Sequence, residues 1–431
     1  MKIEGRALVG GAFFISFYTG FQGGRYFLAN RIQEIGILCV LGLFLYGTIL
    51  TAMKVPRHRL NWNWWVFSIL IFLAYTFVLP AYLFAENANV AMAPSLFASR
   101  EYLITLLCPS LYFLYKLGYT IDEIESVFVK ALVALILSYI FHYFRMDLKA
   151  AYFSSDHTIA GLVTFDPWRG YRLKTPSFAF YLLTVLAPMF VYYSKTMAKK
   201  FAWFLMCILL IYIWILVAQR SMMATLILSA IAYNMMFAEK NRLGVFFFIL
   251  PAAIWGIWVG VGEAFDHLSK LDPETDGVRF KSYMIAWESI KDHPLFGFGQ
   301  QSNSTLTEQQ IFWYKFFSAD LGIIGITFKY GFVGAFVYIF FSIYMLQRMV
   351  TTIWIYKKVF GVINPILLAL FVVYLAFTIN IAFTPAFTYI PGLTAGAFGI
   401  ALSSIWLDRI RGVDDDVVSA VSLPSQSGAA G

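Results

Sequence analysis

Hydrophobic positions in this chain fall in long runs broken by short polar stretches. The runs lie at roughly 7–22, 35–53, 64–84, 101–118, 127–144, 177–194, 201–218, 221–237, 243–262, 321–346, 361–384 and 390–407. Each is near the ~20 residues a helix needs to cross a bilayer, so about twelve spans are expected. No strand-like alternation and no 20–50-residue repeat stand out. The expected fold is an all-α integral membrane protein. Residues 1–411 form one polytopic domain, and 412–431 form a polar, disordered cytoplasmic tail.

Composition agrees with the pattern. Of 431 residues, 60% are hydrophobic, 19% aromatic and 13% charged. A soluble domain carries about a quarter charged residues. The net charge of +8 would suit a nucleic-acid partner in a soluble chain. Here cytoplasmic Lys and Arg account for it more simply, so no nucleic acid is expected. With the N-terminus inside, the inner segments hold 17 Lys and Arg, against 4 in the short outer ones: Arg25, Arg31, Arg100 and Arg220. Both termini are therefore expected in the cytoplasm. Cys39, Cys108 and Cys207 sit singly in apolar runs and suggest neither zinc nor a disulfide framework.

Two outer loops, 145–176 and 263–320, are long enough to escape the charge rule and carry most of the polar chemistry. In the second, Phe280, Tyr283, Met284, Trp287 and Ile290 recur at helical spacing and predict a short amphipathic helix at the membrane surface. The Pro and two Gly of DHPLFGFG then break it.

The sharpest single residue is Arg220. With Gln219 it interrupts an otherwise apolar stretch, 201–237, which reads as a tight hairpin with Arg220 at the outer face. An arginine snorkelling at a helix end is the bland reading. A clamp for phosphate is the functional one, because guanidinium matches phosphate bidentately and stays charged. Arg279, Arg169 and Arg172, with Lys174 beside them, add cations on the same side. Candidate acid–base groups are Asp320, His157 and His293, and an ordinary polar loop role competes with each. Lys329 lies within a span as a possible acceptor-site or structural residue. A straight helix from Asp320 would put it about 13 Å below the outer end, and a segment broken before Gly331 is the alternative. Neither Glu263, Asp266 and His267 nor Glu288, Asp292 and His293 forms a recognised metal motif, and no metal or other cofactor is expected.

Four stretches in order, RLKTPSFAFYLLTVLAP, AQRSMMATLILSA, VRFKSYMIAWESIKDHPLFGFG and ADLGIIGITFKYGFVG, cover roughly 169–335. Their order resembles that of the O-antigen ligase and Wzy-type polysaccharide polymerase superfamily. The resemblance implies a membrane-embedded glycosyltransferase of the class C kind in the bacterial inner membrane. Its donor and acceptor would be oligosaccharides on undecaprenyl diphosphate. A chain-length regulator and a flippase of the same pathway are candidate partners. Arginines at the positions of Arg220 and Arg279, and more loosely Arg172, would hold the donor diphosphate. The ligases carry a His just before the fourth stretch, where this chain reads FWYKFFSADLG. That departure favours a polymerase over ligase-type transfer to a lipid or protein acceptor, and it leaves the general base open. A transporter or flippase is a further alternative, but the charges cluster in the outer loops rather than at the midplane.

Overall fold

The computed structural model describes residues 6–22, 31–55, 64–166, 170–217, 226–227, 229–231, 277–300, 311–312, 316, 318, 321–379 and 390–421. In chain order the elements are α1 (Arg6–Gly20), α2 (Arg31–Lys54), α3 (Trp64–Asn87), α4 (Met92–Ala98), a 3-10 segment (Ser99–Leu106), α5 (Leu107–Lys116), α6 (Ile121–Arg145), α7 (Leu148–Tyr152) and α8 (His157–Ala160). After them come β1 (Val163–Asp166), β2 (Gly170–Leu173), α9 (Ser177–Tyr193), α10 (Met197–Val217), α11 (Gly277–Asp292), α12 (Gly322–Phe360), α13 (Pro365–Ile379) and α14 (Ile390–Val421). Among the described residues, six helices are long and apolar enough to cross a membrane: within α2, α3, α6, α10, α12 and α14. The expected spans 221–237 and 243–262 lie outside the described residues, apart from a few positions between 226 and 231.

Three expectations change in detail. The run at 101–118 is a 3-10 turn followed by the ten-residue α5, not one straight span. The last helix continues past 411 to Val421. The first outer loop contains an antiparallel hairpin that the apolar pattern did not show, because its strands are only four residues each. Gly170, at φ +68°, opens its second strand in the left-handed region where glycine is at ease.

Burial ranks the helices. In α14 the window Ile390–Ile410 is 94% buried, whereas in α10 the span is 17% buried. So α14 is the central post, packed on α5, α12, α13 and the 3-10 segment, and α10 lies at the rim against α9. Aromatic contacts fill the centre: Phe398 lies 4.9 Å from Phe17 and 4.1 Å from Phe128 between ring centres.

The ends of the bundle differ. At one end a capping box starts α6: Thr120 Oγ1 accepts from the Glu123 amide, and Glu123 returns the bond to the Thr120 amide at 2.9 Å. Such a cap contributes about 1 kcal/mol. Arg6 donates to the Gly118 carbonyl at 3.0 Å and pairs with Glu123 at 3.1 Å. Lys116 meets Asp408 at 2.9 Å, and Glu125 accepts from Asn364 and Trp406. Arg6, Lys116 and Arg409, three of the residues that the charge pattern assigns to the inner side, thus share one end. The residues of the other end enclose the candidate site.

Candidate functional site

A cavity of about 580 Å³ opens at the end opposite the Arg6 cluster. Its polar wall comes from the hairpin and the start of α9: Thr164, Arg172, Lys174, Thr175 and Ser177. Tyr139 and Tyr143, near the end of α6, close one side, and Ile215, Leu216 and Phe377 give an apolar one. In the hairpin Val163 pairs with the buried Leu173, and Thr164 pairs with Arg172; Thr164 and the consecutive residues Tyr171, Arg172, Leu173 and Lys174 all border the cavity. Phe165 and Tyr171 form the following pair, with 4.9 Å between ring centres.

Arg172 reaches across to α10. Its Nη1 donates to the Val217 carbonyl at 3.2 Å. Val217 is the last described residue of α10 and lies shortly before Arg220 in the sequence. A guanidinium has donors enough to satisfy that carbonyl and still present others to a ligand. The bond therefore ties Arg172 to the part of α10 that precedes Arg220 in the sequence. Lys174 supplies a second cation, and its amide donates to Leu162 at 2.8 Å to close the hairpin base. The described lining thus joins two cations, several hydroxyls and an apolar flank, a donor set suited to a phosphorylated amphiphile.

Of the residues singled out from sequence, Arg172 and Lys174 line this cavity. Arg220, Arg169 and Asp320 lie outside the described residues. Arg279 occupies the first turn of α11 and His157 the first position of α8, as backbone positions only. His293 is not brought to the cavity. It follows α11 directly, and its ring meets edge-on, at 5.7 Å, that of Phe298, a member of a second aromatic cluster. Glu288, one of the weak metal candidates, is paired with Lys291 at 2.7 Å. Lys329 is 3% exposed, in the first part of α12.

The helix expected in the second loop is present as α11, and a separate face of it packs on the protein. Ser282, Ala286 and Ile290 face inward at i, i+4 and i+8, while Met284 and Trp287 point out. Counting only large apolar residues hid this face, because two of its three members are small. The alternative for α12 is the one observed. Gly331 stands at φ 68° and ψ −173°, outside helical geometry, so the helix is broken there. Sequence reasoning also missed Gln22, Tyr139, Tyr143, Thr164 and Ser177 as lining residues. Neither spacing nor composition brings such distant hydroxyls and amides together.

No curated protein matches the chain. The end of α10, Arg220, all of α11 and the opening of α12 fall within a single matched stretch, residues 205–339. That stretch matches the family model described as O-antigen ligase, and it supports the O-antigen ligase and Wzy-type polymerase superfamily.

Proposed function

We propose that the protein is a polysaccharide polymerase. It joins oligosaccharide repeat units carried on undecaprenyl diphosphate, at the periplasmic face of a bacterial inner membrane. The observation that carries this reading is the cavity, where Arg172 is tied to Val217 of α10, and Val217 and the following Arg220 lie in the stretch similar to the family. In the reaction a hydroxyl of the acceptor sugar attacks the anomeric carbon of the donor glycan. The bond from that carbon to the diphosphate oxygen breaks, and the electron pair leaves with the diphosphate. The hydroxyl proton passes to a base, with Asp320 and His157 the candidates. The protein's main task is to meet the charge growing on the diphosphate, and fixed guanidinium groups do so without reorganising. Arg220, Arg279 and Arg172 would take that role without a divalent metal. The apolar wall of Ile215, Leu216 and Phe377 would receive the first part of the polyprenyl chain.

Ligase-type transfer to a lipid or protein acceptor uses the same donor chemistry, and the description of the matched family favours it as the second reading. Purified protein incubated with lipid-linked repeat units separates the two. A ladder of products marks a polymerase, and a single transfer to an added acceptor marks a ligase. No new glycosidic bond would refute both.

A further inference from the structure

The break in α12 is filled by another part of the chain. In an unbroken helix the amides of Phe332 and Val333 would donate to the carbonyls of Phe328 and Lys329. With Gly331 turned out of helical geometry, all four groups bond instead to the PLFGFG segment. Phe332 donates to the Pro294 carbonyl at 2.8 Å and Val333 to Leu295 at 3.2 Å. Phe298 donates to Phe328 at 2.8 Å and Gly299 to Lys329 at 3.1 Å. Two helical bonds are replaced by four between segments, so the broken backbone stays satisfied in an apolar setting.

The same segment also grips α3. The Gln300 amide donates to the Pro80 carbonyl at 3.0 Å, and Asn87 Nδ2 donates to the Phe298 carbonyl at 3.0 Å. The glycines make this approach possible. A Cβ on Gly297 would lie 2.5 Å from the Gly331 amide and 2.7 Å from the Phe328 carbonyl, and one on Gly331 would collide with the Leu295 carbonyl. Both residues also hold positive φ. Only His293 separates residues 294–300 from α11, and α11 carries Arg279 in its first turn.

We propose that residues 294–300 form a mount that holds α11 against the broken helix, and that Gly297 and Gly331 are positioning residues for Arg279. The link to Arg279 rests on the donor-binding reading given above; the mount itself does not. Phe84, Phe298, Phe316 and Phe328 pack with Ala286 and Ile290 of α11 around this junction and give the mount its apolar filling. Loss of the interlock should therefore free α11 without dissolving the main core, which is a separate cluster.

The test uses maleimide labelling of full-length protein in membranes. One reporter is Ala286→Cys, on the buried face of α11, and the other is Ala187→Cys, buried in α9. Gly297→Ala and Gly331→Ala should each expose the cysteine at 286 while leaving that at 187 protected. Gly361→Ala serves as control, since Gly361 has φ +69° but open space around its missing Cβ; it should expose neither. In the two mount variants the lipid-linked donor concentration for half-maximal rate should rise at least tenfold, more than the saturated rate falls. Continued protection at 286, or exposure at 187 together with 286, would overturn the mount. Exposure at 286 with unchanged donor dependence would overturn the positioning role. Wild-type activity in Arg279→Ala would defeat the donor reading and leave the labelling result standing.

Discussion

Arg172 has two demands on one guanidinium, the Val217 carbonyl and the cavity. A charge-assisted hydrogen bond contributes roughly 1.5–3 kcal/mol, and every 1.4 kcal/mol is about tenfold in an equilibrium or rate. Arg172→Ala should therefore lower polymerisation by roughly ten- to a hundredfold with the protein still in the membrane. Arg172→Lys should recover little, because an ammonium lacks the planar, rigid fork that holds the Val217 carbonyl and a phosphate at fixed spacing. In vitro transfer from lipid-linked donor measures both variants. Arg220→Ala and Arg279→Ala should remove activity on the same grounds, and wild-type polymer length in Arg220→Ala cells would exclude that residue from the site. If these cations meet the diphosphate charge, polymerisation in liposomes should persist in excess EDTA. Activity lost to EDTA and restored by magnesium would redirect attention to Glu263, Asp266, Glu288 and Asp292 as ligands.

At the scale of elements, α11 and the segment after it present an outward apolar face. Met284, Trp287, Leu295 and Phe296 are all exposed, and Leu295 is bonded beside Phe332 and Val333 of α12. From there α12 carries its own exposed stripe of Phe332, Phe336, Phe340 and Ile343, the face a spanning helix turns to lipid. The two surfaces run together, so a spin label at Trp287→Cys should be relaxed by oxygen and shielded from a water-soluble nickel complex. Easy access for the nickel complex would place α11 away from the bilayer. The same elements show what sequence could reveal. Long apolar runs announced α2, α3, α6, α10, α12 and α14, because twenty apolar residues have few other outcomes. The hairpin at 163–173 was not legible, since four-residue strands leave too short a pattern to read. The partner of the Gly331 break was invisible for a deeper reason. Backbone hydrogen bonds between segments about thirty residues apart leave no side-chain periodicity, only the glycines that permit them.

Across the whole molecule the two ends are chemically distinct, and this gives the orientation a direct test. One end gathers Arg6, Lys116, Glu125, Asp408 and Arg409, the last of them 3.8 Å from Asp122. The other gathers Gln22, the hairpin, Thr175, the end of α10 and Pro391 around the cavity. The helices order themselves to suit: α1 and α6 begin at the first end and reach the second, while α9 and α14 begin at the cavity. Arg6, Lys116 and Arg409 belong to the first end, and positive segments tend to be retained in the cytoplasm. The cavity would then open to the periplasm, where a diphosphate-linked glycan presented from the outer leaflet could enter it. Two exposed positions decide the matter, Ser155 in the first outer loop and Thr196 between α9 and α10. The three native cysteines lie buried or half-buried in helices and give a low background. Ser155→Cys should react with a membrane-impermeant maleimide before the inner membrane is opened, and Thr196→Cys only afterwards. The reverse order would turn the cavity to the cytoplasm and defeat its assignment as the site of periplasmic polymerisation.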